Sequence, residues 1–109
     1  MILININNLS AQSYNELIQS GKQKVKENHF QAALEDFTHA ITLDQNNYVG
    51  FYNRGIVYNI LEKFNEAIED FNKAIMLNPK FAMAYLYRGA AWDNQNNFKD
   101  ALLDYATAV

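Results

Sequence analysis

Few side chains in this sequence are of the kinds that move protons, attack carbonyls or hold metals. The two histidines, His29 and His39, stand ten residues apart, one in a stretch that reads as a turn and one on a polar helix face. Catalysis needs a nucleophile, a base and an orienting group that converge, and neither histidine has a Cys or Ser in register beside it. The acidic pairs Glu35/Asp36 and Glu69/Asp70 could in principle share acid–base work. They recur in step along the chain, however, which is how a solvated helix face behaves. Cysteine is absent, so disulfides and thiolate metal sites are excluded. The glycines fall inside helical stretches, leaving no phosphate-cradling loop. No catalytic residue, metal or cofactor is expected, and the chain reads as something other than an enzyme.

Charge narrows the partners further. The net charge of −3 opposes a dedicated binder of nucleic-acid phosphates, which normally shows a basic face. Lys22, Lys24 and Lys26 are the one basic cluster, and at alternating positions they wrap around a helix instead of forming a flat patch. Residues 1–8 are apolar only briefly and lack the basic start of a secretory signal. No stretch approaches the roughly 20 apolar residues of a membrane-spanning helix. A soluble, cytoplasmic protein with neither a nucleic acid nor a membrane as partner is expected.

Whatever this chain binds must therefore be positioned by its architecture, and the architecture is periodic. Gly21, Gly55 and Gly89 are spaced 34 residues apart. The same period links Phe30, Phe64 and Phe98; Ala33, Ala67 and Ala101; Phe37, Phe71 and Tyr105; and Ala40, Ala74 and Ala108. Self-similarity of this kind marks a repeat architecture. Each unit reads as two helices. In Phe64–Ile75 the apolar residues 64, 67, 68, 71, 74 and 75 form one stripe, with Glu69, Asp70 and Lys73 on or beside the polar face. Asn78-Pro79 closes that helix, because a residue before proline is pushed away from helical angles. Asp44–Asn47 provides the equivalent break, and Asn28-His29, Glu62-Lys63 and Asn96-Asn97 mark tighter turns within units. Ser13 and Glu16 fit a capping box, so the first helix is expected to begin near Tyr14. A glycine inside a helix costs about 1 kcal/mol relative to Ala. Its shared register with the Ala columns supplies the reason: small residues let the two helices of a unit approach closely, with the Phe or Tyr between the alanines filling the space beside them.

These columns resemble the tetratricopeptide repeat, and the resemblance runs from Tyr14 to Val109. It includes Pro79 at the family's closing proline. It implies an all-α fold, an α-α superhelix (solenoid) of stacked antiparallel helical hairpins. The expected divisions are an N-terminal tail over 1–13, repeats over 14–47 and 48–81, and an incomplete third over 82–109. The first unit matches least, with Leu17 and Lys24 where the other units carry aromatics, so its outer helix is expected to be the least well packed.

Stacked hairpins leave a curved groove lined by the first helix of each, and in the resembling family that face receives a peptide or a helix of another protein. The groove positions implied here include Ile18 and Lys22 from the first unit. The second contributes Val49, Tyr52, Asn53, Ile56 and Asn59, and the third Met83, Leu86 and Tyr87. This lining is apolar and aromatic, with amides interspersed. Its apolar members would stabilise a ligand by roughly 25 cal/mol per Å² removed from water, and Asn53 and Asn59 could pair with peptide amides. Packing between neighbouring first helices is an equally good account of Ile56, Leu86 and Ala90. Co-chaperone members of the family grip a terminal carboxylate with Lys, Asn and Arg. The matching positions are Ile18, Lys22, Asn53, Met83 and Tyr87, of which only Asn53 fits, so chaperone tails are disfavoured.

The reading is thus an adaptor or scaffold for a partner peptide; the alternative is a self-assembling module. Two further expectations concern the stack. Arg54 should pair with Asp36 and Arg88 with Asp70, each across a boundary between units. Asp104 would then lack an arginine, and the faces around Leu102, Tyr105 and Val109 would invite a homodimer through the open C-terminal end, cover by the apolar N-terminal segment (1–9) of a neighbour, or cover by downstream sequence.

Overall fold

A computed structural model describes the backbone of residues 6–109 and the side chains from residue 11 onward. Among the described residues six helices follow one another: α1 (Ile6–Lys26), α2 (Phe30–Leu43), α3 (Tyr48–Ile60), α4 (Phe64–Leu77), α5 (Ala82–Asn94) and α6 (Phe98–Ala108). They pair as three hairpins, α1/α2, α3/α4 and α5/α6, and α3 and α5 each also pack against the second helix of the preceding hairpin. There is no strand among the described residues. The array is elongated, 60 × 28 × 19 Å, as stacking along one axis requires. No described helix is long and apolar enough to cross a membrane.

The glycine columns explain how each hairpin closes. A Cβ built on Gly21 would lie 2.5 Å from the Phe37 ring, and one on Gly55 would lie 2.8 Å from that of Phe71. At Gly89 the Tyr105 ring stands at 2.8 Å. Phe37 and Phe71 are fully buried. Each ring therefore presses directly on the backbone of the opposite helix, through a gap that only a missing side chain provides. Ala33, Ala40, Ala67, Ala74 and Ala101 of the alanine columns are buried as well, Ala33 and Ala40 in one cluster with Phe37.

The turns inside the hairpins repeat as closely. Asn28, Glu62 and Asn96 adopt φ of 62°, 60° and 61°, left-handed values that end a helix abruptly. The next amide then reaches five residues back in each case: His29 to the Lys24 carbonyl, Lys63 to Tyr58 and Asn97 to Trp92, at 2.8, 2.8 and 2.9 Å. Glutamate at the second of these positions is notable, since the left-handed region favours Gly and Asn over other residues. Asn47 caps α3 by accepting a hydrogen bond from the Val49 amide at 3.0 Å.

Three sequence expectations need correction. Helix α1 begins at Ile6, not near Tyr14, so Ser13 lies within it and caps nothing; residues 1–5 of the expected tail lie outside the described residues. The first hairpin is not loosely held. Tyr14 and Ile18 are buried, and the Tyr14 hydroxyl accepts a buried hydrogen bond from the Gly50 amide at 2.8 Å, tying α1 to the start of α3.

The third correction concerns the arginines, which pair inside their own hairpins. Arg54 forks onto both carboxylate oxygens of Asp70 at 2.8 Å each, and Arg88 onto those of Asp104 at 2.8 and 2.7 Å. Asp104 is thus satisfied, and Asp70 and Asp104 are buried, not solvated as the repeating acidic pairs suggested. Across the boundaries each arginine makes only one further bond, Arg54 to the Thr38 hydroxyl at 3.3 Å and Arg88 to the Asn72 carbonyl oxygen at 2.8 Å. The first hairpin carries Ser20 in the arginine column. There the Ser20 hydroxyl and the Lys24 ammonium donate together to Asp36, at 2.6 and 2.7 Å, so Lys24 stands in for the missing guanidinium.

Gly55→Ala isolates the close approach. Alanine gains about 1 kcal/mol of helix propensity, but overpacking against a ring that cannot move costs about 1–3 kcal/mol. Thermal melts followed by circular dichroism should show Gly55→Ala lowering Tm by several degrees. Gly89→Ala should lower it less, because Tyr105 is only half-buried and can give way. A raised Tm for Gly55→Ala would refute the packing argument.

Candidate functional site

The first helices of the hairpins carry the candidate residues at helical spacing. On α3, Tyr52, Ile56, Asn59 and Ile60 recur at three- and four-residue intervals, so they share one face; Met83, Leu86, Tyr87 and Ala90 do the same on α5. Helix α3 packs against both α1 and α5, which brings these faces side by side.

An aromatic cluster forms the centre. The Tyr52 ring meets Tyr87 edge-on with centroids 6.0 Å apart and Phe81 at 4.7 Å. Beneath them lies Phe71, 6.3 Å from Tyr52 and stacked with Tyr87 at 6.4 Å. Phe71 is the same ring that presses on Gly55, so the site's floor and the hairpin's closure are one residue. Phe81 also packs on Tyr48 at 4.9 Å. Sequence reasoning left Phe81 out, because it precedes α5 and belongs to no repeated column; its place is set by where the chain enters α5. Burial and the neighbouring Tyr87 push the Tyr52 phenol up to about 12.

The amides are more committed than their exposed appearance in the sequence suggests. Asn59 Nδ2 donates to the Tyr87 carbonyl at 3.0 Å, bridging α3 to α5, while its Oδ1 is buried without a partner. Asn53 Nδ2 donates to the Val49 carbonyl of its own helix at 2.9 Å. Asn59 therefore acts as a brace between repeats, whereas Asn53 would have to turn away from its helix to meet a ligand.

The remaining candidates divide by exposure. Met83 and Leu86 are each 40% exposed, large apolar side chains open to solvent beside Tyr87. Tyr52, Ile56 and Tyr87 are half-buried. Val49 is half-buried against the core of the first hairpin. Lys22 is exposed. Ile18 departs from expectation: at 4% exposure it is part of the core with Ala33, Leu34 and Phe37, so its side chain is turned into the first hairpin and is unavailable to a ligand.

A separate open hollow of about 390 Å³ lies between the first two hairpins, lined by Gln31, Leu34, Glu35, Thr38, His39, Tyr58 and Lys63. None of the groove candidates lines it. Among the described residues no group of three or more acidic or histidine side chains could hold a metal ion.

An elongated stack of hairpins, each closed by a glycine–aromatic contact and presenting its first helix to a shared face, defines a helical-repeat protein. The tetratricopeptide repeat model matches residues 48–81. The solved structures that are similar over most of the chain include the following three. The first such domain of Spaghetti (RPAP3), bound to the HSP90 peptide SRMEEVD, is 31% identical with a TM-score of 0.87, covering 89% of this chain and 77% of that one. The second domain of the same protein, bound to the same peptide, is 25% identical with a TM-score of 0.87, covering 93% and 95%. The TPR domain of Arabidopsis OM64 is 27% identical with a TM-score of 0.89, covering 91% and 82%. No curated protein matches the chain. The chain belongs to the tetratricopeptide repeat family.

The shift at Tyr52 has a measurable sign. Its folded-state pKa lies above the ordinary phenol value of 10.0. Stability linked to it is thus fully present below about pH 10 and lost as pH rises through about 12, since the unfolded chain releases that proton first. In an absorbance titration of phenolate formation, the last step should disappear in Tyr52→Phe. An unchanged titration would show that Tyr52 is not desolvated.

Proposed function

We propose that the chain is a protein-interaction adaptor whose concave face holds a largely uncharged, partly apolar peptide segment of another protein. The observation that carries this is the exposure of Met83 and Leu86 beside the braced Tyr52–Tyr87 pair. Large apolar side chains rimming a preorganised aromatic centre suit a ligand's own apolar side chains, and aromatic anchors near an interface centre tend to dominate its energy. Peptide capture by the RPAP3 domains supports the class of ligand. Tetratricopeptide repeats are interaction modules, which supports a non-catalytic role.

The ligand proposed here differs from SRMEEVD in charge. An acidic tail with its terminal carboxylate needs paired cations, because a desolvated carboxylate without them is strongly destabilising. Of the corresponding positions, Ile18 is buried in the core, while Met83 and Tyr87 are uncharged. Lys22 alone offers a cation there.

Fluorescence polarisation with labelled SRMEEVD, beside peptides selected from a random displayed library, tests the proposal. Selected peptides should be apolar-rich and poor in acidic residues, with SRMEEVD binding far more weakly. Tyr52→Ala with Tyr87→Ala should weaken the selected peptides roughly tenfold or more, about 1.4 kcal/mol or above, with helical content unchanged. Tight SRMEEVD binding, or affinity indifferent to both tyrosines, would overturn it.

A further inference from the structure

The two joints between hairpins are built unequally. At the second, the chain supplies its own cross-links: Gln95 Nε2 donates to Asn65 Oδ1 at 2.6 Å, and Arg88 Nη1 reaches Asn72 Oδ1 at 2.8 Å. One period earlier Gln95 becomes Leu61, which packs against the first core and offers no polar group to Gln31, the counterpart of Asn65. Asn72 becomes Thr38, and the bond from Arg54 lengthens to 3.3 Å. Trp92 becomes the smaller Tyr58. The Tyr14–Gly50 bond ties this first joint at the start of α3. At the other end of α3 a cross-link is missing, and there the open hollow of about 390 Å³ stands, with Gln31, Thr38, Tyr58 and Lys63 in its walls.

Those walls are rich in donors. Thr42 and Thr107 spend their hydroxyl protons on carbonyls four residues back, at 3.0 and 2.8 Å. Thr38 makes no such bond; its oxygen accepts from Arg54, so its proton is left for an acceptor. Lys63 brings an ammonium from the turn after α3, and among the described residues it joins no ion pair. Glu35 is the one carboxylate in the walls. Gln31 and His39 stand one turn to either side of it on α2, at the spacing that lets side chains of a helix meet. Those two can donate to Glu35. Thr38 and Lys63 then face, from opposite sides of the joint, an acceptor that the walls do not provide.

From this donor set we infer that the hollow binds a small oxyanion, a polycarboxylate or a phosphate ester, which bridges Thr38 to Lys63 in place of the missing cross-link. Hydrogen bonds to an anion are stronger than neutral ones, and the guanidinium behind Thr38 polarises its hydroxyl toward the ligand. The volume lies near the lower end of the range for small-molecule sites, roughly 300–1,000 Å³. Glu35 limits the affinity, because its charge repels that of the ligand. None of the groove candidates lines the hollow, so this inference stands independently of the peptide proposed above.

Titrations of the whole chain with citrate and, separately, inorganic phosphate test it, followed by proton–nitrogen NMR spectra at an ionic strength held constant with sodium chloride. Either anion should shift the amide resonances of Gln31, Thr38 and Lys63 saturably, leaving those of Lys22 and Lys26 in place. Lys63→Gln should weaken binding roughly tenfold or more, and Thr38→Val, which keeps the shape and loses the proton, should weaken it as well. Glu35→Gln should strengthen it severalfold. All three positions are exposed, so circular dichroism should be unchanged. No saturable shift with either anion would overturn the inference, as would shifts shared equally with Lys22 and Lys26, the mark of general screening. Affinity indifferent to Lys63 would also overturn it. So would a Glu35→Gln variant that binds more weakly, since that pattern belongs to a site for a cation or a zwitterion.

Discussion

The contact of an aromatic ring with a bare glycine backbone is the constraint from which the rest of this structure follows. Phe37 on Gly21, Phe71 on Gly55 and Tyr105 on Gly89 fix the separation of the two helices in each hairpin. That separation sets which residues on the first helix can also reach its neighbours. Phe71 shows the chain of consequence most directly. One side of its ring is held by Gly55, and Tyr52 and Tyr87 pack over it. The closure of the hairpin and the aromatic cluster of the proposed groove therefore share one side chain.

The fold was legible because the period is written in residues whose sizes matter. A glycine inside a helix is costly, and three in step with alanines and rings are better explained by helices in close contact than by hinges. The arginines were misassigned for a related reason. Arg54 stands 18 residues after Asp36 and 16 before Asp70, and the two separations add up to one period. In a periodic sequence, spacing cannot tell the partner behind from the partner ahead. The decision is made by depth: within a hairpin the glycine contact draws the helices together, and Asp70 is buried where a guanidinium can fork onto it.

The candidate groove was legible by face but not by occupancy. Helical spacing places Tyr52, Ile56 and Asn59 together, yet nothing in the sequence says that Asn59 is already bonded to the Tyr87 carbonyl. Ile18 fails for a comparable reason. It occupies a groove column, but its side chain is buried with Leu34 and Phe37 instead. The start of α1 was missed because a local capping pattern such as Ser13/Glu16 can also occur inside a helix, and the upstream Asn and Ser residues gave no helical signal of their own.

The uneven bonding within and between hairpins has a mechanical meaning. Each of the second and third hairpins is locked by a bidentate ion pair and a ring seated on backbone, whereas only separate single hydrogen bonds, among them those of Arg54, Arg88, Asn59 and Gln95 and the one onto Tyr14, cross the joints between the described hairpins. Stiff plates joined by softer seams make a spring. Bending concentrates at the seams and changes the curvature of the concave face without disturbing any plate. The Asn59 brace spans one such seam on the inner side of the bend, so it works as a stop that limits how far the spring can uncoil. A ligand longer than the resting groove would then be accommodated by a small change of pitch spread over the array, instead of by rearrangement of the residues that touch it.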